Sequence, residues 1–432
     1  LSGRSVKALD AQLSELAGIV RVSVIPQPEQ LQELLAFAEE AFRTPEGKVD
    51  FPTLLPKLYG PGADSAPLHT VLYEDGAPAG LYCLKIQDFN IAGTALRVGG
   101  IGTVCVDGRS RGKGHLALLM QDAQERMQAA GCDIAMLGGQ RQRYERFGYV
   151  PAGAHWEFTL TPRNVRDIRT GGVALAPLAE YPSWLESARA LHEKQPVTCA
   201  RSGDASFLTV LQSWRAEPYA VLQDGMFAGY CALAEGKPPR LQELVLPDAA
   251  LLPAFAAALA QHTGVAGVRV QLYPWQRAEL AYFASVAEQG VCVPNHSYRV
   301  FHWAAAARAA MALQRTYDDT AILDEFILEV ENEGRLRFGP GAEGVRPAEP
   351  QDAAPDLVLP PLDAARLLFG PDSPLVPGAQ AVPAGLLPLP LAFPWADGIC
   401  MGRKKADFAC KSGRGPFSGR ALEKKQPAFL RM

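Results

Sequence analysis

Apolar positions along this chain follow two periods, and the change between them is sharpest at residues 99–130. Ile101 to Val106 is an apolar run rich in β-formers that ends at Asp107-Gly108. A glycine-interrupted basic loop follows, and HLALLMQDAQERMQAAG then repeats apolar residues at helical spacing. The pattern predicts a strand, a tight loop and a helix N-terminus. Upstream, Ile19 to Ile25 reads as a first strand, broken by Pro26 and Pro28. A helix to about Phe42 follows, carrying Leu31, Leu34, Leu35 and Ala38, and Phe51 to Tyr59 suits a short helix. A meander comes next: His69 to Tyr73, a turn at Asp75-Gly76, Gly80 to Gln87, Asn90 to Ala92, a turn at Gly93, and Leu96 to Val98. Downstream, Ile134 to Leu137 is a strand, Gly138-Gly139 breaks it, and Arg141 to Phe147 is a short helix. Tyr149 and Trp156 to Leu160 supply the closing strands. Residues 19–165 are therefore expected to form one α+β domain around a mixed sheet, behind a loose leader at 1–18.

Residues 166–302 repeat this pattern more faintly. Val173 to Leu175 suits a strand and Tyr181 to Lys194 a helix. Tyr219 to Leu222 and Tyr230 to Leu233 flank an Asp224-Gly225 turn. Leu241 to Leu246 stands where the central strand belongs, and Ala250 to Gln261 where its helix belongs. The connector between them, Pro247 to Pro253, has no glycine and no cation. Residues 303–400 change character again. Arg308 to Arg315 and Asp319 to Leu323 look helical, and Glu325 to Val330 pairs with Arg335 to Phe338 across Glu333-Gly334. Leu357 to Leu359 and Leu362 to Leu368 read as strand then helix, before a proline-rich, extended run from Pro371 to Pro394.

Composition narrows the class. The chain has 432 residues, enough for several domains, with 48% apolar and 20% charged residues and a net charge of −4. Neither nucleic acid nor a membrane surface is expected from that balance. No apolar run reaches membrane-spanning length, and no signal-peptide hydrophobic region stands at the start. The eight cysteines show no metal-ligand spacing, which points to a reducing cytoplasm and no metal. Residues 401–432 stand apart, with nine cations against two acids. They are expected to be a solvated, disordered basic tail, with an electrostatic arm for a polyanion as the alternative.

The candidate chemistry lies in the glycine loop. Arg109, Arg111 and Lys113 interleave with Gly112 and Gly114 where backbone N–H groups converge at the positive end of a helix, a nest suited to a phosphate or pyrophosphate. There is no GxxxxGK[ST], and the near-match to a dinucleotide fingerprint opens no βαβ unit. Arg111-Gly112-Lys113-Gly114-x-Leu116 instead resembles the R/Q-x-x-G-x-G/A loop of the GNAT superfamily of N-acetyltransferases. Tyr144 to Tyr149 resembles that family's Y-x-x-F-G-F/Y element, in the expected order and about 30 residues further on. Three successive units, the leucine at 116 and the Phe393-Pro394-Trp395 ending resemble the narrower enhanced intracellular survival (Eis) type.

That resemblance implies a GNAT fold, a mixed, mostly antiparallel sheet flanked by helices. It also implies a degenerate GNAT-like second domain and a sterol-carrier-protein-like α/β third domain. It further implies transfer of an acetyl group from acetyl-CoA to the amine of a small cationic molecule; a protein lysine is the alternative acceptor, and an acyl-CoA or lipid sensor the non-catalytic alternative. A homo-oligomer is expected. By the same resemblance, Val104, Cys105 and Val106 would pair with the pantetheine arm. Arg111, Gly112, Lys113, Gly114, His115, Leu116 and Ala117 would hold the pyrophosphate. Tyr144 would be the general acid that protonates the departing thiolate, and its phenol suits that step. In Eis-type enzymes the base is the chain's own C-terminal carboxylate, which the resemblance would place here at Met432, 32 residues past the matching position at Cys400. Glu39, Glu40 and Asp88 are the side-chain alternatives. His115 reads as structural, since it lies at the phosphate end, and Cys105 as a packing cysteine in mid-strand.

Overall fold

The computed structural model describes residues 22–45, 47–201, 203–318, 324–340, 344–383 and 385–399. The leader at 1–18, the tail at 401–432 with Met432, and the helix expected at Asp319 to Leu323 lie outside these residues.

In chain order the first strands are β1 (Val22–Val24), β2 (His69–Glu74), β3 (Ala77–Ile91), β4 (Thr94–Val106), β5 (Ile134–Leu137) and β6 (Val150–Ala152). There follow β7 (His155–Leu160), β8 (Val173–Pro177), β9 (Val197–Cys199), β10 (Ala216–Gln223), β11 (Met226–Ala234), β12 (Arg240–Val245) and β13 (Val268–Leu272). The last are β14 (Gln289–Val293), β15 (His296–Val300), β16 (Phe326–Val330), β17 (Gly334–Phe338), β18 (Val345–Pro347) and β19 (Leu357–Leu359). They form three sheets, ordered β1-β2-β3-β4-β5-β15-β6 with β9 against β3, β14-β7-β13-β12-β11-β10-β8, and β18-β17-β16-β19.

After β2, the segments expected as separate strands at Gly80 to Gln87, Asn90 to Ala92, Leu96 to Val98 and Ile101 to Val106 are the two arms of one long hairpin. β3 and β4 pair from Gly80 opposite Val106 to Ile91 opposite Thr94. Gln87, Asp88 and Asn90 do not interrupt β3, because alternation puts polar residues on its outer face. Gly99-Gly100 does not interrupt β4 either. A Cβ on Gly99 would strike Met127 of the helix His115–Ala129, and one on Gly100 would meet Ile399 at 3.3 Å. The glycines are there for close approach of neighbours, not for a turn. The helix buries Leu119, Met120, Ala123 and Met127 on this sheet, each worth up to about 1.5–3 kcal/mol of transfer free energy when the side chain is large.

The closing strands pair differently from expectation. Trp156 to Leu160, read as part of the first sheet, lies in β7 and pairs with β13 and β14 of the second. β15 takes the place beside β5 and β6 in the first sheet. The cause is one continuous antiparallel ribbon: β6-β7 runs alongside β14-β15, with Val293 opposite His155 and His296 opposite Ala152. It bends at Gly153, whose positive φ of 66° is uncommon for other residues, and at Pro294-Asn295, where the Asn295 N–H donates to the Gly153 carbonyl. Sequence alternation cannot tell which of two sheets a strand joins.

The first and second sheets share one plan. In each, a run of antiparallel strands leads to a single parallel pair, β4 with β5 and β12 with β13. In each, a helix fills the crossover, His115–Ala129 in the first and Leu252–Thr263 in the second. Residues 361–399 then return across the first sheet as helix Pro361–Phe369 and short 3-10 turns, ending with Leu389, Leu391, Phe393 and Ile399 in the core.

Candidate active site

β4 is the element on which the site is built. It pairs with β5 in parallel only from Val98 opposite Ile134 to Ile101 opposite Leu137. Beyond Ile101 the pairing ends, and among the described residues Gly102 to Val106 has no ladder partner on that side. Val104, Cys105 and Val106 all lie on this stretch. A β-bulge marks its start: Leu81 faces Cys105 and Cys83 faces Gly102, so β4 carries one extra residue. Thr103 at the bulge has φ 52°. A β-branched residue there is strained by roughly 1–3 kcal/mol. Burial pushes the Cys105 thiol up to about 12, so it packs rather than attacks.

At the end of β4 stands the glycine loop. Gly112 and Gly114 have φ of 80° and 83°, and a Cβ at either would meet open space. The concave backbone is free on its outer side, and Gly114 caps the helix His115–Ala129, whose first N–H groups have no partner within the helix. This cradle fits an anion such as a pyrophosphate.

The side-chain charges divide unequally. Glu74 on β2 accepts hydrogen bonds from Ser110 Oγ (2.8 Å) and Lys113 Nζ (2.9 Å), and His115 Nε2 stands 3.2 Å from the same oxygen. Lys113, then His115 and Ser110, hold the Glu74 carboxyl down at about 2. Lys113 is therefore committed to Glu74, which fixes the loop's shape with His115 packed beside it, while Arg111 is exposed and has no ion pair among the described residues. Sequence pattern placed all three cations together and missed Glu74, since nothing local marks a partner 36–41 residues away.

After β5 comes Tyr144, at the end of the short helix Arg141–Tyr144. It is buried, and its ring covers Gly139, two residues past β5, where a Cβ would collide with it. The splayed strand, the nest and this tyrosine thus come from β4, its following loop, and the segment after β5.

The other face of β4 carries what the sequence did not reveal. A Cβ on Gly102 would strike the Ile399 carbonyl, so the C-terminal segment stands directly on the splayed strand. Lys57, from the short helix Pro56–Tyr59, donates to the carbonyls of Ala396 and Gly398 (2.7 Å to the latter). Burial, with Lys85 nearby, pulls Lys57 down to about 7. Behind it Arg201 pairs with Asp397 (2.8 Å) and Glu243 (2.9 Å), all three buried. Burial opposes the Asp397 charge, yet Arg201 holds that carboxyl well below the usual range. Trp214 Nε1 donates to the Trp395 carbonyl, and the Trp395 N–H to Tyr273 Oη. Tyr59 Oη lies 2.8 Å from Thr103 Oγ1 and 3.1 Å from His69 Nε2, and His69 Nδ1 lies 2.7 Å from the Ser65 carbonyl.

The proposed carboxylate bases sit elsewhere. Glu40 is paired with Arg43 and Lys48, and these cations hold it near 2. Asp88 is paired with Arg97. Glu39 is half-buried on the helix Leu31–Ala41. In the second sheet the position matching the glycine loop is a 3-10 turn, Ala249–Leu251, whose first N–H groups include that of Ala250, bonded to Asp248 Oδ1, and the helix Leu252–Thr263 that follows has a proline in its first turn and no glycine at its start. Among the described residues no cluster of His, Cys, Asp or Glu suits a metal, and no helix is long and apolar enough to cross a membrane.

Residues 25–152 match the family model described as an acetyltransferase (GNAT) domain. No curated protein matches the chain. Among solved structures the chain is similar to a GCN5-related N-acetyltransferase from Anabaena variabilis ATCC 29413, with 17% identity, TM-score 0.61, and coverage of 87% of this chain and 97% of that one. A GCN5-related N-acetyltransferase from Kribbella flavida gives 17% identity and TM-score 0.60 over 89% and 97%. Eis1 from Mycobacterium abscessus gives 16% identity and TM-score 0.53 over 81% and 89%. At such identities these structures establish the α+β GNAT fold expected from the glycine loop, and the family match places that domain at residues 25–152.

Proposed function

We propose that this chain, an N-acetyltransferase with a GNAT domain at residues 25–152, moves an acetyl group from acetyl-CoA to the primary amine of a small cationic molecule by direct attack. One observation carries the reading: β4 leaves its parallel ladder at Ile101 and runs, without a strand partner on that side among the described residues, into an open anion nest, while the segment after the partner strand β5 carries the buried Tyr144. The Arg111 to Ala117 backbone holds the pyrophosphate, with Arg111 as the free side-chain charge. Val104 to Val106 offer N–H and C=O groups to the pantetheine amides, and an N–H of this edge polarises the thioester carbonyl. Bound acetyl-CoA supplies an activated acyl group on a thiolate leaving group. Tyr144 gives that leaving group its proton. The acceptor class rests on the Eis-type sequence resemblance.

Around this centre we assign residues 166–302 to a degenerate GNAT-like domain, supported by the matching strand plan and by a crossover connector, Pro247 to Pro253, without the glycines and cations of the first. The exchanged ribbon makes the two units one folding partner. Residues 303–400 are assigned to the sterol-carrier-protein-like domain, and their last residues form a wall of the acceptor side.

The test is release of free thiol from acetyl-CoA across aminoglycosides, polyamines and a lysine peptide, with the full chain and a chain ending at Cys400. Release dependent on a small polyamine supports the reading. Release with the lysine peptide alone reassigns the acceptor, and no release despite acetyl-CoA binding makes the protein a sensor. Loss of activity on truncation would point to the tail or Met432.

A further inference from the structure

Three buried polar side chains next to the splay have no part in the chemistry above. Thr103, Tyr59 and His69 are all buried and joined in a line that ends on the Ser65 carbonyl. The proton positions along this line are determined. A carbonyl only accepts, so His69 Nδ1 carries the proton that goes to Ser65. Burial lowers the affinity of His69 for a second proton, so Nε2 is a bare acceptor. Tyr59 must then donate to Nε2, and its oxygen accepts from the Thr103 hydroxyl. All the donors point away from the splay and towards His69.

The position of Thr103 is also unusual. It is the bulge residue of β4, with φ 52°, directly after Gly102, where the C-terminal segment stands. Glycine or asparagine would hold that backbone with less strain, so what threonine brings is its hydroxyl. The reaction needs an acceptor for the amine's proton. Glu40 and Asp88 are occupied in surface ion pairs.

We propose that Thr103, Tyr59 and His69 are the base side of the site, with Thr103 Oγ1 taking a proton from the attacking amine as its own passes to Tyr59 and the Tyr59 proton passes to His69 Nε2. This rests on the acetyl-transfer reading. The balance closes: the amine lone pair forms the N–C bond and the C–S pair leaves on sulfur. The Tyr144 proton goes to that sulfur, and the amine proton is accounted for on His69, whose Nδ1–H keeps its bond to Ser65. Thr103 touches the substrate; Tyr59 and His69 act through it. The titratable groups facing the line are the thiols of Cys83 on β3 and Cys105 on β4, and Cys105 is held protonated by burial.

The test is the pH profile of kcat for the full chain and for Thr103→Val, Tyr59→Phe and His69→Gln, with Thr103→Ser as the conservative control. Tyr59→Phe keeps the ring and serves where another variant fails to fold. We expect kcat near neutral pH to fall about tenfold or more, with the KM for acetyl-CoA unchanged. The plateau should give way to a steady rise of kcat with pH, and Thr103→Ser should restore it. Folded variants whose kcat and pH profile match the wild type, with only a lowered melting temperature, would make the line a structural tie and overturn the proposal. Wild-type thiol release is scored in parallel. Its absence with every amine would remove the acetyl-transfer reading itself and the relay with it, whereas its presence beside unaffected variants would remove the relay alone.

Discussion

The Ile399 carbonyl occupies the space that a Cβ on Gly102 would need, so the C-terminal segment and the splayed strand touch only because position 102 is glycine. Gly102→Ala forces a backbone against a backbone, and no rotamer relieves it. We expect a loss of about 1–3 kcal/mol, read as a lower midpoint in urea, together with reduced turnover. Gly99→Ala meets side chains rather than backbone, Met127 and more distantly Cys132, and should cost less because a methionine can change rotamer. Equal effects would show that the C-terminal segment does not hold this position.

Tyr144→Phe keeps the ring that covers Gly139 and removes only the hydroxyl. Turnover should fall by about 10²-fold or more, while acetyl-CoA affinity, measured by calorimetry, stays within about twofold. An unchanged rate would retire Tyr144 as the acid.

Arg111 is the loop cation left free, whereas Lys113 is committed to Glu74. Arg111→Ala should therefore weaken acetyl-CoA binding about tenfold, or ~1.4 kcal/mol, and reduce its salt dependence. Lys113→Ala should act mainly through the loop's shape, lowering stability along with affinity. A larger loss of salt dependence from Lys113→Ala than from Arg111→Ala would reverse this assignment.

Three buried histidines, His69, His192 and His296, are held neutral by burial, His296 at about 3. Their folded-state values lie below the ordinary 6.5, so the unfolded chain binds more protons below that pH. Their contribution is complete above about pH 6.5 and is lost as pH falls through each lowered folded-state value, for His296 towards about 3, at up to ~1.4 kcal/mol per unit for each histidine. Melting temperature should decline between pH 6.5 and 5, before most carboxylates protonate. A flat profile there would contradict the burial of these rings.

Local chemistry made much of this legible. The hairpins at Asp75-Gly76 and Asp224-Gly225 fold with both turn residues at positive φ, as such pairs require. Gly112 and Gly114 take the positive φ that a tight glycine loop needs, and Tyr144 is buried. What stayed hidden depends on distant partners. Glu74 captures Lys113 from another strand, and β7 and β15 exchange sheets because alternation carries no label for its sheet. The proline-rich segment ends on Gly102 with no period to announce it. The three glycines in GGIG were the available signal: a strand so bare of side chains is one that others approach closely.

The most direct measurement is amine-dependent thiol release from acetyl-CoA by the wild type beside Gly114→Val, which places a β-branched residue at φ 83° and fills the nest. The account predicts release in the wild type, with the variant folded and its KM for acetyl-CoA raised about tenfold or more. Equal KM values, or no release from the wild type with any amine, would contradict it.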